Sequence, residues 1–477
     1  MTAVVPTDDA PQPDARAANA ALTLDELRER LTGDLVRPGD PDWDVARAAW
    51  NLTVDQQPAA VVLAETVSDV VETLLCAADL GLGVAPQGTG HNAAPLGPLD
   101  GTVLLKTSRM RGVDVDPAAR VARVEAGAPW GEVTAEVAAH GLTALAGSAH
   151  DVGVVGYTLG GGLSWLGRHY GLASNHVRAV ECVTADGREL RVDAEHHADL
   201  FWALRGGGGG HAVVTALEFD LFEVPDVYAG VLFFPIERAG EVLHAWRHWV
   251  ADVPDTVTSV GRLLQFLPLP ELPDFLRGRS YVVVEAVVVH TAEADAAALL
   301  APLRALGPEI DTFAMTPTSA LQSLHMDPEG PVPGIGDGYL VGELPAEGID
   351  ALVAACGPGS GSALLSVELR HLGGALAPDV MAGGAVSSLA GEFAMFAVGM
   401  TPGPEFAAKV RADIDAVQEA LQPWASGRAY ANFAERRRAG AVLFGPEAHD
   451  RLQAVKAVYD PENVIRAAHQ VTPKLST

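Results

Sequence analysis

Three glycine-dense loops constrain this chain more than any other feature. They are Gln87-Gly88-Thr89-Gly90-His91-Asn92, the stretch 147–171 that contains Gly160-Gly161-Gly162, and the unbroken run from Gly206 to Gly210. Glycine reaches positive φ without steric cost and has no Cβ, so such loops let backbone N–H groups converge on an anion. The charge of the chain makes this route necessary, since the formal net charge is −29 and Lys106 is the only lysine before Lys409. A sequence so poor in cations cannot neutralise a run of phosphates, which argues against nucleic acid and anionic membrane as partners. An anionic ligand must then be held mainly by backbone amides, and three loops suit a large ligand with a pyrophosphate.

Two common nucleotide folds do not fit these loops. A Rossmann turn needs its glycines directly after a strand and opening a helix, whereas Gly81-Leu82-Gly83 precedes its strand. Neither Gly160-Gly161-Gly162 nor the run at 206–210 continues into the Gly-Lys-Ser/Thr of a P-loop, which argues against a nucleotide kinase or ATPase.

With 477 residues the chain exceeds one compact core and is expected to form two large domains. The first spans 36–225. An apolar strand at Val61–Ala64 leads to a helix opened by Thr66, with Asp69 completing a capping box and Gly81 ending the helix. Strands follow at Leu82–Pro86, Val103–Lys106 and Arg120–Ala126, then a helix at Trp130–His140. A hairpin turn at Ala185-Asp186-Gly187-Arg188, a helix at Asp199–Leu204 and a strand at Val213–Phe222 complete it. A second domain, 226–420, carries strand-like runs at Gly230–Phe234, Tyr281–Val289, Ala363–His371 and Phe393–Gly399. Amphipathic helices at Glu237–Ala251, Ala292–Leu306 and Glu405–Leu421 separate them, which indicates an α/β layer domain. Residues 1–35 read as a partly disordered leader without an apolar signal region, and no run of about 18 uncharged apolar residues follows. A cytoplasmic protein is expected. Cys76, Cys182 and Cys356 lie far apart in apolar runs and read as buried, reduced thiols.

In their order these loops and their neighbours resemble the FAD-linked oxidases of the vanillyl-alcohol oxidase superfamily, in the berberine bridge enzyme-like branch. Five motifs carry the resemblance from about Asp44 to the C-terminus. They are the 87–92 loop, the segment 147–162, Asp199-Leu200-Phe201-Trp202-Ala203-Leu204-Arg205, Tyr430-Ala431-Asn432-Phe433, and Tyr459-Asp460-Pro461-Glu462-Asn463. The resemblance implies an α+β fold with a PCMH-type FAD-binding domain, and an α/β substrate domain with an antiparallel sheet flanked by helices. A C-terminal segment, 421–477, is expected to return to the FAD domain.

The resemblance further implies that His91 bonds covalently to the flavin ring. The cofactor contacts it implies are Gln87, Gly88, Thr89, Gly90, His91, Asn92, Gly147, Ser148, Val152, Gly153, Gly156, Tyr157, Gly160, Gly161, Gly162, Val214 and Asn432. A cysteine that makes a second link in many relatives is replaced by Ala149, which leaves a single bond. Gln87 stands where an arginine is common, and Gly210-His211-Ala212 where Asn-Phe-Gly often follows the glycine run. A neutral imidazole on a glycine loop suits attack on the electrophilic 8-methyl group of a flavin. In this family a valine at the position of Val152 admits dioxygen, and Tyr430 matches a tyrosine that faces substrate as general base. A tyrosine of ordinary pKa, about 10, must be activated by its neighbours to do so.

Strand parity adds further candidates. Along 363–371, Leu365, Val367 and Leu369 form one face, while Ser366, Glu368 and Arg370 form the other. Tyr281 and Glu285 share a face in the same way, so Glu368, Arg370 and Tyr281 are pocket candidates, a solvated sheet face being the alternative. The pairs His244/His248 and His196/His197 read as surface residues, and no metal is expected. The expected function is an FAD-dependent oxidase that takes a hydride from a small organic substrate, a secondary metabolite or sugar-like alcohol, and reduces dioxygen to hydrogen peroxide. The apolar residues at 393–396 lean toward an aromatic or apolar substrate. Alternatives are a flavin dehydrogenase of the same fold and a non-catalytic flavin-binding protein.

Overall fold

The structure, a computed structural model, describes residues 23–268, 270 and 273–474. The expected leader lies outside the described residues up to 22, and its remainder is folded. Thr23 accepts a bond from Glu26 N at 3.2 Å and its own N–H donates to the Glu26 carboxylate at 2.8 Å, a capping box that opens the helix Leu24–Arg30. Leu27 and Leu35 bury themselves beneath the first sheet, which supplies the apolar anchor for residues 23–36.

The first sheet holds β1 (Asp34–Val36), β2 (Ala60–Leu63), β3 (Gly83–Gln87) and β4 (Thr102–Lys106) in the order β1-β2-β4-β3. β2, β4 and β3 are parallel, as the intervening helix Val67–Asp79 requires, and β1 is antiparallel. The second sheet holds β5 (Val113–Asp116), β6 (Val121–Glu125), β7 (Val177–Val183), β8 (Glu189–Asp193) and β9 (Val213–Asp220), all antiparallel, in the order β5-β6-β9-β7-β8.

After Pro225 comes an eight-stranded antiparallel sheet. It is built from β10 (Asp226–Pro235), β11 (Val257–Gln265), β12 (Ser280–Val288), β13 (Ile310–Asp311), β14 (Ala314–Pro317), β15 (Gly334–Val341), β16 (Ser366–His371) and β17 (Phe393–Met400). Its order is β13-β10-β12-β11-β16-β17-β15, with β14 also on β10. Helices Ala239–Asp252, Ala346–Cys356 and Pro404–Leu421 cover one face, where Trp246, Ile349 and Ile414 pack on Val284, Leu369 and Met395. The opposite face turns toward the first domain.

This domain departs from the sequence reading in several places. β11, β13, β14 and β15 were not expected: β13 and β14 are only two and four residues long, and β11 and β15 break the strand pattern with glycine. Gly261 in β11 is needed there: a Cβ would lie 2.7 Å from the Trp246 indole. The helix expected over 292–306 is two short ones, Glu293–Leu299 and Ala301–Arg304, because Pro302 cannot continue the hydrogen-bond ladder. No helix among the described residues is long and apolar enough to cross a membrane.

The C-terminal segment closes on the first sheet. Val84 N donates to Val464 O and Arg466 N to Val84 O, both at 2.8 Å, so Ile465 extends the edge of β3. A fully buried ion pair fixes this return: Lys456 Nζ donates to Asp460 Oδ2 and Gly210 O at 2.5 Å and to Ile465 O at 3.0 Å. Asp460 in turn accepts from Val464 N and Ile465 N. Asp460→Ala would leave a buried ammonium without its counter-charge, a loss of about 3–5 kcal/mol. Denaturant unfolding followed by tryptophan fluorescence should show this loss.

Candidate active site

The two domains enclose a cavity of about 1040 Å³, at the upper end of the range of about 300–1,000 Å³ usual for ligand sites. The 87–92 loop, the 147–160 segment and Gly208-Gly209 form one wall, and the free face of the eight-stranded sheet forms the other. The C-terminal residues Tyr430, Asn432, Arg466 and His469 close one side.

His91 stands at the glycine wall in a defined setting. Thr89 Oγ1 lies 2.7 Å from its Nδ1, Trp50 stacks on its ring, and Asp151 Oδ1 is 3.4 Å from its Nε2. Gly90, at φ +88°, leaves no room for a side chain, since a Cβ would come within 2.9 Å of Ala49.

Tyr430 is buried at the centre. Its oxygen accepts from Leu163 N at 2.9 Å, Gly162 N at 3.0 Å and Asn432 Nδ2 at 2.9 Å. The Asn432 amide also donates to Tyr157 O, which fixes its NH2 end toward the phenol. Three donors around one oxygen suit a phenolate, yet burial opposes them and pushes the Tyr430 pKa up to about 12.

The sheet wall carries a buried ionic ledge. His325 lies between two carboxylates, with Nδ1 2.6 Å from Glu285 and Nε2 2.7 Å from Glu368. Two acceptors require a proton on each ring nitrogen, hence an imidazolium. Burial and Arg262 oppose that charge, but Glu285 and Glu368 prevail and raise the His325 pKa to about 9. Burial would likewise raise Glu368, but Arg370 and His325 hold it well below the usual carboxylate range. Arg262 joins the ledge through Ser366 Oγ at 2.7 Å and Glu285 at 3.2 Å. Around this ledge the wall is apolar, with Leu264, Phe266, Met326, Phe396 and Met400. Glu435, also on the lining, is pushed up to about 7 by burial, with the charge of Asp337 acting the same way against the Gly336 amide.

The residues present fit a large dinucleotide cofactor. A Cβ at Gly156 or Gly208 would meet no atom within 4 Å, so both glycines present bare backbone to the cavity. Gln87 Oε1, His91 Nε2 and Asn92 Oδ1 are buried there without a hydrogen-bond partner.

Most residues expected at the site line this cavity, including Val152, Val214, Tyr430, Glu368 and Arg370. Three do not. Tyr281 is buried against Phe233, and its hydroxyl donates to Phe275 O at 2.5 Å, so it braces β12 rather than facing the cavity. Gly161 and Gly162 stand behind the wall: Gly161 packs near the Tyr430 ring and Gly162 donates to its oxygen. At the 210–212 departure, His211 turns away and bonds Leu452 O, while Ala212 lines the cavity. His244 contacts Asp350 and His196 contacts Asp193, both as single pairs. Sequence reasoning passed over Trp50, Asp151, Arg262, Glu285, His325 and Glu435, whose partners are distant in the chain. Two of them had a signal: Glu285 shares parity with Tyr281, and Asp151 lies within the 147–162 motif.

A family model described as an FAD binding domain matches residues 58–193, and one described as berberine and berberine like matches 429–472. An uncharacterized FAD-linked oxidoreductase of Bacillus subtilis is 31% identical over 237 residues, about half of each chain (49% of this one and 52% of that one). (R)-6-hydroxynicotine oxidase of Paenarthrobacter nicotinovorans is 27% identical over 468 residues, 93% of this chain and 97% of that one. The structure of Physcomitrella patens BBE-like 1 has the same fold, with a TM-score of 0.82 at 22% identity over 95% of this chain and 100% of that one. The chain is thus an FAD-linked oxidoreductase that has an FAD binding domain at 58–193, a berberine-like segment at 429–472 and the fold of the BBE-like proteins.

Proposed function

We propose that this chain is an FAD-dependent oxidase whose cofactor is tethered by one covalent bond to His91, and which passes electrons from a small organic substrate to dioxygen, releasing hydrogen peroxide. The observation that carries this reading is His91 itself, held on a glycine loop at the cavity wall with Thr89 at Nδ1. A second, cysteinyl link has no donor: Ala149 stands on the lining, and Cys76, Cys182 and Cys356 are buried away from it. Bound FAD would rest on the 87–92 and 147–160 loops and on Asn432, and would supply a hydride acceptor.

The chain's own residues account for the rest of the chemistry. Tyr430 is the group placed to take the substrate proton: burial keeps it a neutral phenol, so it must first be ionised, and Leu163 N, Gly162 N and Asn432 then stabilise the charge on its oxygen. Arg370 engages Glu368 and His325 through Nε and Nη2 and reaches toward the ring of Phe433, and its Nη1, which makes no hydrogen bond among the described residues, can receive an acceptor group of the substrate. The apolar wall of Leu264, Phe266, Phe396 and Met400 favours an aromatic or otherwise apolar secondary metabolite over a sugar-like alcohol. The end-to-end similarity to an enzyme named for 6-hydroxynicotine is in keeping with that choice. Val152, on the lining, leaves a small side chain where dioxygen would approach.

The reading is tested by acid precipitation of the purified protein. Flavin should stay in the pellet, the intact mass should equal chain plus one FAD, and His91→Ala should release the colour; a colourless wild-type pellet would overturn the tether. Peroxide release with a panel of aromatic alcohols and amines separates an oxidase from a dehydrogenase, which would reduce only an added dye. Tyr430→Phe should lower kcat by about 10²–10⁴-fold with flavin content unchanged, measured by single-turnover flavin bleaching.

Glu435 gives a pH dependence. Its folded pKa, about 7, lies above its ordinary value of 4.5, so the folded state binds the proton more tightly. Stability from this group is present below pH 4.5 and is lost as pH rises to about 7. The Tm advantage of Glu435→Gln over wild type should therefore grow across that window and level off above it, in thermal melts at matched flavin content.

A further inference from the structure

Around His91, Trp50 and Asp151 form an arrangement that no substrate contact explains. Trp50 stacks on the imidazole with centroids 4.1 Å apart and 19° between the planes. Its indole N–H donates to Asp151 Oδ2 at 2.5 Å, which leaves Asp151 Oδ1 turned to His91 Nε2 at 3.4 Å. Both of those atoms are buried, and neither has a hydrogen-bond partner among the described residues, so each is the other's nearest complement. On the other edge of the ring the Thr89 hydroxyl, a rotor that can donate, lies 2.7 Å from Nδ1. An ionised carboxylate accepts and never donates, so it draws the imidazole proton to Nε2 and leaves the lone pair on Nδ1. Asp151 is ionised in this setting: burial alone would raise its pKa, but the neighbouring His91 imidazole, the bond from Trp50 and the charge of His150 outweigh it.

We propose that Asp151 is the positioning residue for flavin attachment, holding the His91 proton on Nε2 so that Nδ1 forms the bond, and then pairing with the positive charge the ring acquires. This rests on the covalent reading of His91 given above. In the attachment step the Nδ1 lone pair forms one N–C bond to the carbon of the flavin 8-methyl group, and one C–H bond of that group breaks. The electron pair and proton of that C–H bond pass to dioxygen, which takes a second proton from solvent and leaves as hydrogen peroxide. The imidazole gains a carbon and loses no proton, so it becomes a cation whose remaining N–H faces Asp151. Trp50 serves the same step twice, by holding the ring plane and by orienting the carboxylate.

The test uses full-length apoprotein reconstituted with FAD in air, quenched in acid at intervals and weighed intact, with FAD uptake followed separately by quenching of flavin fluorescence. Asp151→Asn keeps the shape and an acceptor for the Trp50 N–H but removes the charge. It should bind FAD as wild type does, yet attach it at least tenfold more slowly. In apoprotein labelled with ¹⁵N-histidine, His91 should show the proton on Nε2 in wild type and a mixture of tautomers in Asp151→Asn, a signature that a purely structural role would not produce. Attachment by Asp151→Asn at the wild-type rate, or a wild-type proton on Nδ1, would overturn the proposal while leaving the tether intact. A wild type that never gains covalent FAD would instead overturn the tether, and the proposal with it. If Asp151→Asn does not fold, Trp50→Phe replaces it: slower attachment supports the proposal and an unchanged rate overturns it.

Discussion

Burying ionised side chains on the sheet face that meets the first domain is the constraint on which the site depends. Arg262, Glu285, His325, Glu368 and Arg370 lie where water is largely excluded, and each must find its counter-charge there. The pairs are drawn from β11, β12, β16 and the loop before β15, so satisfying them fixes strand register and loop position together. The helical face of the same sheet needs no such precision, because Trp246, Leu369 and Met395 obtain their stabilisation from non-directional apolar burial. One sheet thus has a face that supplies stability and a face that supplies shape and charge.

The glycine wall solves a complementary problem. In a chain with a net charge of −29, a phosphate-bearing ligand cannot be drawn in by surface cations. Bare backbone at Gly156 and Gly208 allows close approach instead, while Gly160 and Gly162 serve packing among protein atoms, against Asn432 and Tyr157. Glycines within one motif therefore divide between presenting backbone to a ligand and letting the protein close on itself. This is why Gly161 and Gly162 fall behind the wall although the loop as a whole forms it.

Much of the first domain was legible in the sequence because its signals are local. The capping box at Thr66 and Asp69 and the strands on either side of it need only a few residues to declare themselves. The alternation that put Glu368 and Arg370 opposite Val367 and Leu369 is equally local, and the structure keeps it. Tyr281 shows the limit of parity: it sits on the same face as Glu285, but one turn of the pleat further along, where Phe233 and Phe275 enclose it. β11 and β15 were hidden by glycines whose purpose lies in another element, as Gly261 beneath Trp246 shows. Trp50, Asp151 and His325 were hidden because each acquires its role from partners far away in the chain, a relation that spacing does not express.

The return of the C-terminal segment to β3 also sets an order of events in synthesis. The cavity takes residues from Trp50 to His469, and Ile465 is seated beside Val84 only once about 380 residues have been added after that strand. Pairings this distant in sequence form late, after the loop-closure entropy of the intervening chain has been overcome. Until residues 430–466 have been made, the glycine loops and the sheet face have no Tyr430 between them and no Lys456 to lock the edge. The complete wall of the cavity therefore exists only after residue 469 is in place, and the segment that completes it returns to the small sheet laid down among the first strands.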